Sequence, residues 1–420
     1  MVSLAKDVST SERAEFLEKI ESILPTRNPA EIPDTSQIDQ VLNDIQALRE
    51  SMEERIQSIE DGSYWDDPDD WEERGFDDED PEYISDDQIE DIAILFAEAE
   101  GLFMDGWLED ARQVYASLFD LVDFIEGVTS FSSSDELDVR EARANYSRCV
   151  YETAESKARL EAFVEAMAVF GSSPYEEKNL YDEKYPLLQE VMDAREGRME
   201  GLEAFLPDWK KILSRNEEGA RSGFLLLEAV HLTDGMEGVS GLARQWKNRQ
   251  PRGYLFWLDL LKKEDKHVEI IRIGKEGLDA LEKGFFRERV AEFLIDAAEE
   301  LKDRDHLLLG KRERFLSQRS DQNLLELVAE AALQNQRDEE IAEILKFFEN
   351  GGTADQKGIL YTKVLLMAGK LKEAVSEAKN KRGLGWSYGK AGVVFGAVLW
   401  SVAGGSGTGF SCRSLHGHGK

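Results

Sequence analysis

Cysteine is almost absent from this chain of 420 residues, which contains only Cys149 and Cys412. Two cysteines cannot build the disulfide framework of a small secreted domain or a four-cysteine zinc site. A reducing compartment is therefore expected, and the sequence predicts a cytoplasmic protein.

Long apolar segments are missing as well. Charged residues are scattered through residues 1–24, so this stretch has no apolar centre of the kind that a secretion signal needs. No uncharged apolar run reaches the roughly 18 residues expected of a membrane-spanning helix. We therefore expect a protein that is not exported and does not contact a membrane.

Basic residues are scarce in the first third of the chain. Residues 1–130 contain 37 acidic and 8 basic residues, whereas residues 131–420 contain 49 and 43, and the net charge of the chain is -35. Nucleic-acid affinity depends on neutralising phosphates with Lys and Arg, so such a surface repels nucleic acid. Direct nucleic-acid binding is not expected, and the expected partner is a basic protein.

The motifs of common catalytic and cofactor sites are also missing. The sequence has no phosphate-binding glycine loop, no dinucleotide fingerprint, no serine-hydrolase elbow and no paired metal-ligand histidines. Asp67 and Asp69 begin a calcium-loop pattern, but Trp71 stands where the third ligand is needed. The Cys412, His416 and His418 pattern lies in a Gly-rich tail, where a stable metal site is not expected. The sequence therefore predicts no enzyme, no cofactor and no metal; an enzyme with a dispersed site stays an alternative.

Most of the chain carries apolar residues at helical spacing, and the alternation typical of strands is missing. Residues 89–126 predict two helices joined at Gly106, and residues 38–59 follow a near-heptad spacing that could pair with another helix or a partner. Breaks are expected near Pro207 and Gly235. The other predicted helices are 11–24, 136–170, 176–206, 208–214, 217–231, 238–249, 253–263, 266–283, 286–301, 305–317, 321–335, 338–349, 354–368 and 371–380.

A repeated hairpin pattern occurs in the last third of the chain. In YTKVLLMAGKLKEAVSEAK, Gly369 separates two helical segments and Ala374 begins the packing face of the second. A glycine allows the reversal, and a small residue allows two helices to approach closely, as in tetratricopeptide hairpins. GWLEDA, from Gly106, has the same pattern, and a degenerate copy places Gln336 opposite Gly369 at a spacing of 33 residues. The predicted fold class is all-α, an α-solenoid of antiparallel, tetratricopeptide-like hairpins with degenerate repeats.

Residues 270–400 also resemble a known family. The segments GLDALEKGFFRERVAEFLIDAAEELKD, LLLGKRERFLSQRSDQNLLELVAEAA and GLGWSYGKAG are similar to the helical region that accompanies bacterial SWIM zinc-finger proteins. The cysteine and histidine pattern of the finger itself is missing, so its zinc function is not implied. The resemblance implies a helical repeat module and assigns no activity to individual residues.

The predicted organisation has five parts. These are N-terminal helices at 1–59, an acidic linker at 60–88, a helical-hairpin domain at 89–263, tetratricopeptide-like repeats at 264–382 and a Gly-rich tail at 383–420.

Acidic and aromatic residues give the candidate binding surfaces. Residues 60–91 contain 17 acidic residues with interleaved aromatics, which either dock on a partner or pack against their own protein. Basic residues gather near residue 250, beside aromatics, and again at Lys311, Arg312, Arg314 and Arg319. Such groups either bind an acidic partner or nucleic acid, or are mixed solvated helix faces, and the first group alternatively docks the acidic segment of this chain. The candidate partner-binding residues are Trp65, Asp69, Asp70, Trp71 and Phe76 in the acidic segment, Trp107, Arg112 and Tyr115 in a groove, and Trp246, Arg249 and Trp257 in the basic group.

These features predict a noncatalytic scaffold that binds a protein segment, with the acidic charge selecting a basic partner. In the alternative, the acidic segment imitates nucleic acid and regulates a nucleic-acid-processing enzyme.

Overall fold

The computed structural model describes residues 35–65, 82–129, 137, 139–170, 185–351 and 358–380. Within these residues the protein is all-helical, with 16 α-helices and no strand, and helices pack in consecutive contacts. The predicted class, an α-solenoid of helical hairpins, is confirmed. None of the helices in these ranges combines the length and apolar character needed to cross a membrane.

The chain forms two compact units, which we name unit 1 (Met1–Ala229) and unit 2 (Val230–Lys420). The helices of unit 1 are α1 Thr35–Asp61, α2 Asp86–Asp105, α3 Leu108–Val128, α4 Val139–Thr153, α5 Arg159–Ala166, α6 Leu188–Asp193 and α7 Leu202–Leu213. Helix α8, Ala220–Trp246, begins in unit 1 and ends in unit 2. The remaining helices of unit 2 are α9 Arg252–Lys263, α10 His267–Ala280, α11 Phe285–Glu300, α12 Arg304–Ser317, α13 Asp321–Leu333, α14 Arg337–Gly351, α15 Gly358–Met367 and α16 Leu371–Asn380.

The core of unit 1 begins with the near-heptad helix α1, which packs against α2 and α3. Ile38, Ile45 and Met52 are buried in that contact. The seam predicted for residues 38–59 is therefore used inside the protein. The α2–α3 hairpin forms as predicted, because Gly106 takes the left-handed conformation (φ 87°) that ends α2.

Unit 2 repeats one turn geometry four times. A residue with left-handed backbone joins the two helices of each hairpin: Asp265, Lys302, Asn335 and Gly369. In each turn, two backbone N–H groups donate back to the end of the first helix, as from Gly369 to Leu366 and from the next residue to Leu365. Asn335 lies 34 residues before Gly369, which is the tetratricopeptide period. The predicted alignment of Gln336 with Gly369 is therefore wrong by one residue.

Four predicted boundaries also differ from the structure. The helix predicted at 136–170 is interrupted over residues 154–158, which separate α4 from α5. The helix predicted at 176–206 is absent over residues 194–201, where turns separate α6 from α7 and left-handed Gly197 and Gly201 interrupt the helix. Pro207 lies inside α7 instead of breaking it. The ends of the predicted linker are helical, since α1 continues to Asp61 and α2 begins at Asp86. The helix predicted at 11–24 and the tail at 383–420 lie outside the described residues.

The break predicted at Gly235 is confirmed. This glycine interrupts α8 with φ 63° and ψ -157°, a conformation that a residue with a side chain rarely adopts.

Candidate partner-binding surfaces

Most of the acidic candidate site falls outside the described ranges. Asp69, Asp70, Trp71 and Phe76 lie there, and so does the side chain of Trp65. The neighbouring Tyr64 is described, and the guanidinium of Arg55 lies 5.2 Å from the centre of its ring. The Tyr64 side chain therefore contacts its own protein, which agrees with the alternative that the aromatics of residues 60–91 pack against the chain itself.

Three candidate residues are core residues, which corrects their assignment to a partner-binding surface. The exposed fractions of Tyr115, Trp246 and Trp257 are 0%, 1% and 4%. Tyr115 lies on the face of α3 that packs against neighbouring helices, and its hydroxyl accepts a hydrogen bond from Asn145 (3.3 Å). A cavity of about 220 Å³ adjoins Tyr115, yet the side chain has no exposed area. Large aromatic side chains at helical spacing fill the core here, so a partner does not reach them.

The other three candidates lie at the surface. Trp107 and Arg112 are half-buried, and Arg112 donates a hydrogen bond to the hydroxyl of Thr153 (3.2 Å). Arg249 is exposed. Of the three residues predicted to line a groove, only Trp107 and Arg112 are therefore accessible to a partner.

The basic residues of α12 take part in contacts between helices. Lys311 pairs with Glu330 of α13 at 3.7 Å, Arg314 pairs with Glu326 of α13, and Arg312 pairs with Glu340 of α14. These ion pairs neutralise basic residues that the sequence analysis predicted as a possible binding group. The mixed helix face is therefore the interpretation that the structure supports for this group.

An open cavity of about 470 Å³ lies at the turn end of the first two hairpins of unit 2. We call it the acidic pocket. It is formed by the end of α9, the turn at Asp265, the start of α10 and the end of α11. Its lining residues are Lys262, Asp265, His267, Ile270, Phe293, Asp296, Ala297, Glu299 and Glu300.

The charges of the acidic pocket are unbalanced. Lys262 pairs with Asp296 (Nζ to Oδ2, 2.7 Å), and its ammonium also lies 5.7 Å from the centre of the Phe293 ring. Within the described ranges, Asp265, Glu299 and Glu300 form no ion pair. The pocket therefore joins an aromatic ring to three carboxylates that lack a cation. No sequence motif marks it, because its residues come from three helices of two hairpins.

A second cavity, of about 590 Å³, lies between α12 and α14. Phe315, Ile344 and Phe347 provide its apolar surface, and the Arg312–Glu340 pair lies at its side. Two cations of unit 2 already cover the Phe347 ring, at 4.9 and 5.2 Å from its centre. This cavity thus has its own cations and lacks the charge imbalance of the acidic pocket.

Unit 1 contains a different kind of polar cluster, which is buried. Arg148 is 1% exposed and donates to the carbonyls of Met192 (3.1 Å) and Gly197 (3.2 Å). Arg221 donates to the carbonyls of Met167 and Pro186, both at 2.8 Å. These guanidinium groups satisfy backbone carbonyls at the ends of α5 and α6 and in the segments on either side of α6, so their role is structural.

Glu228 is the buried carboxyl group of this cluster. Its oxygens accept hydrogen bonds from the backbone N–H groups of Leu188 (3.0 Å) and Gln189 (3.4 Å) at the start of α6. Burial raises the pKa of Glu228 to about 7, although these hydrogen bonds and Arg221 act in the opposite direction. Glu228 is 7% exposed, so its carboxyl group is enclosed by the surrounding helices.

Cys149 is the cysteine among the described residues, and it lies in the core of unit 1. Burial raises the pKa of the Cys149 thiol to about 12, so the thiol is protonated at neutral pH. Among the described residues, no group of three or more His, Cys, Asp or Glu side chains is arranged to hold a metal ion.

Comparison with protein-family models, with curated proteins and with solved structures found no match for this chain. The fold by itself defines the class, an all-α protein of helical hairpins packed in consecutive contacts.

Proposed function

We propose that the protein is a noncatalytic helical-repeat scaffold that binds a basic segment of another protein. The observation that carries this proposal is the acidic pocket, in which Asp265, Glu299 and Glu300 lack a cation beside an aromatic ring. A positively charged side chain is the ligand that this arrangement favours.

The charge of the whole chain supports the same partner chemistry. With a net charge of -35, the protein attracts cationic partners over long distances and repels anionic ones. The buried thiol of Cys149 fits a reducing compartment, and we propose that the protein acts in the cytoplasm.

Binding of charged model peptides tests this function. The probes are two fluorescein-labelled octapeptides, one of alternating Gly and Arg and one of alternating Gly and Glu, and the measurement is fluorescence anisotropy with the full chain. We expect the arginine peptide to bind, with an affinity that falls as salt screens the charges, and the glutamate peptide not to bind. Failure of the arginine peptide to bind at low salt would contradict the proposal.

A further inference from the structure

We propose that the acidic pocket is a docking site for an arginine side chain of the partner. This inference rests on the proposed function and adds to it a place and a residue type. It follows from the shape of the pocket, its unpaired charges and the direction of the helix that supplies two of them.

The pocket has an apolar interior and a charged rim. Ile270 and Ala297 are buried, at 2% and 1% exposed, and Phe293 is half-buried beside them. Asp265, Glu299 and Glu300 are exposed. A side chain with an apolar stem and a cationic end fits such a site, because the stem covers apolar surface while the charge meets the carboxylates.

The position of Glu299 and Glu300 makes their charge unfavourable in the free protein. Both lie in the last turn of α11, which contains no basic residue. The carboxyl-terminal end of a helix carries a partial negative charge, so carboxylates there are repelled and a cation is attracted. Binding of a cation relieves this repulsion, and the relief contributes favourably to the free energy of binding.

The aromatic ring favours arginine over lysine. The Lys262 ammonium lies 5.7 Å from the Phe293 ring centre and pairs with Asp296, so an incoming guanidinium shares the ring with it and is held by the three unpaired carboxylates. A guanidinium stacks on aromatic rings and has five N–H donors in a planar fork, enough for several carboxylates at once. A lysine ammonium has only three donors on a single nitrogen.

Two matched triple variants test the site. The pocket variant is Asp265→Asn, Glu299→Gln and Glu300→Gln. The control variant is Asp279→Asn, Glu339→Gln and Glu349→Gln, three exposed residues of unit 2 outside the pocket. Both remove the same charge. Asn also tolerates the left-handed backbone of residue 265 (φ 54°), so the turn is preserved.

The Gly–Arg octapeptide is the probe, and anisotropy is measured with both variants of the full chain. We expect the pocket variant to bind about tenfold more weakly than the unchanged protein. Each exposed charge pair with the peptide contributes a small part of the binding free energy, and the loss of three such pairs together lowers the affinity by about that factor. The control variant should bind within about twofold, since it changes only the long-range field. The pocket variant should also be at least as stable to heat, because it removes the repulsion at the end of α11.

Phe293→Leu tests the preference for arginine. The unchanged protein should bind the Gly–Arg octapeptide about threefold more tightly than a Gly–Lys octapeptide, and the variant should bind the two equally, because the aromatic ring is gone. Equal binding of both peptides by the unchanged protein would overturn the preference for arginine.

The outcomes separate the site from the function. If both triple variants weaken binding equally, the pocket is not the docking site, and binding of basic segments by overall charge still stands. If the unchanged protein binds neither basic peptide, the site and the proposed function both fail.

Discussion

Arginine serves two different purposes in the two units. In unit 1, Arg148 and Arg221 are buried and donate to backbone carbonyls outside the regular helices, such as those of Gly197 and Pro186. In the described part of unit 2, several cations pair with carboxylates on another helix, as Arg244 does with Glu276 (2.7 Å) and Lys262 with Asp296 (2.7 Å).

The difference follows from the regularity of the backbone. The hairpin turns of unit 2 close with backbone hydrogen bonds of their own, and several charged side chains pair between helices. Arg287, Arg304 and Arg337 also donate to carbonyls at helix ends, those of Leu281, Leu333 and Met367. The connections around α6 in unit 1 leave carbonyl groups inside the protein, and buried arginines supply the missing donors. Unit 1 has the same turn at Gly106, but around α6 it depends on single buried residues, whereas unit 2 repeats the turn along its hairpins.

The largest effect is expected from Arg148→Met in unit 1. Methionine fills the apolar stem of the side chain but leaves the carbonyls of Met192 and Gly197 without this donor and removes the pair with Glu152. We expect a loss of about 3 kcal/mol in the free energy of unfolding of unit 1. Hydrogen exchange of the α4 and α6 amides measures it.

Arg244→Met in unit 2 is the matched control. This residue pairs with Glu276, and its side chain is 46% exposed, so the same substitution should change stability by at most about 1 kcal/mol. Equal losses in the two variants would show that the contrast between the units is wrong.

Glu228→Gln tests the buried carboxyl group of the same cluster. Because burial raises the pKa of Glu228 from 4.5 to about 7, the folded state holds this proton more tightly than the unfolded state. Its contribution to stability is present below pH 4.5 and is lost as the pH rises to about 7. Glutamine keeps an oxygen that accepts from the Leu188 N–H group and does not titrate.

The expected result is a change on the order of 2 kcal/mol, between acidic and slightly basic pH, in the stability difference between the variant and the unchanged protein. Urea unfolding across this pH range, with hydrogen exchange to assign the effect to unit 1, measures it. A difference that does not vary with pH would contradict the raised pKa. Hydrogen exchange of the unit 2 helices in the same samples gives the baseline, because Glu228→Gln leaves the hairpins of unit 2 unchanged.

The sequence predicted unit 2 better than unit 1, because the backbone of unit 2 is more regular. Helical spacing and turn residues are local signals, so the hairpins and the turn at Gly369 could be read directly. The alignment missed Asn335 because a left-handed asparagine, aspartate or lysine carries a weaker signal than glycine. The interruption of the helix predicted at 176–206 depends in part on contacts such as that of Arg148 with the carbonyl of Gly197, which is distant in sequence.

The candidate site was predicted less well than the fold. Aromatic residues were chosen as binding residues, yet Tyr115, Trp246 and Trp257 are core residues, since burial of a helical aromatic depends on which face its neighbours cover. The acidic pocket could not be predicted from the sequence, because Asp265 and Glu299 come together only when the hairpins pack. The roles proposed for residues 66–81 and the resemblance to the SWIM-associated region stay predictions.

The smallest effect concerns the repeated turn of unit 2, through Gly369→Ala and Lys302→Gly. Both positions have left-handed backbone, with φ 73° and 56°, and a Cβ at residue 369 would meet no atom within 4 Å. A residue with a side chain pays roughly 1–2 kcal/mol for this conformation, partly offset by about 0.4–1 kcal/mol from a less flexible unfolded chain. Gly369→Ala should therefore destabilise unit 2 by about 1 kcal/mol or less, and Lys302→Gly should stabilise it by a similar or smaller amount. Hydrogen exchange of the helices that flank each turn measures both. Opposite signs at the two positions would mean that one turn geometry governs unit 2, whereas equal signs would mean that local packing at each turn outweighs the repeated geometry.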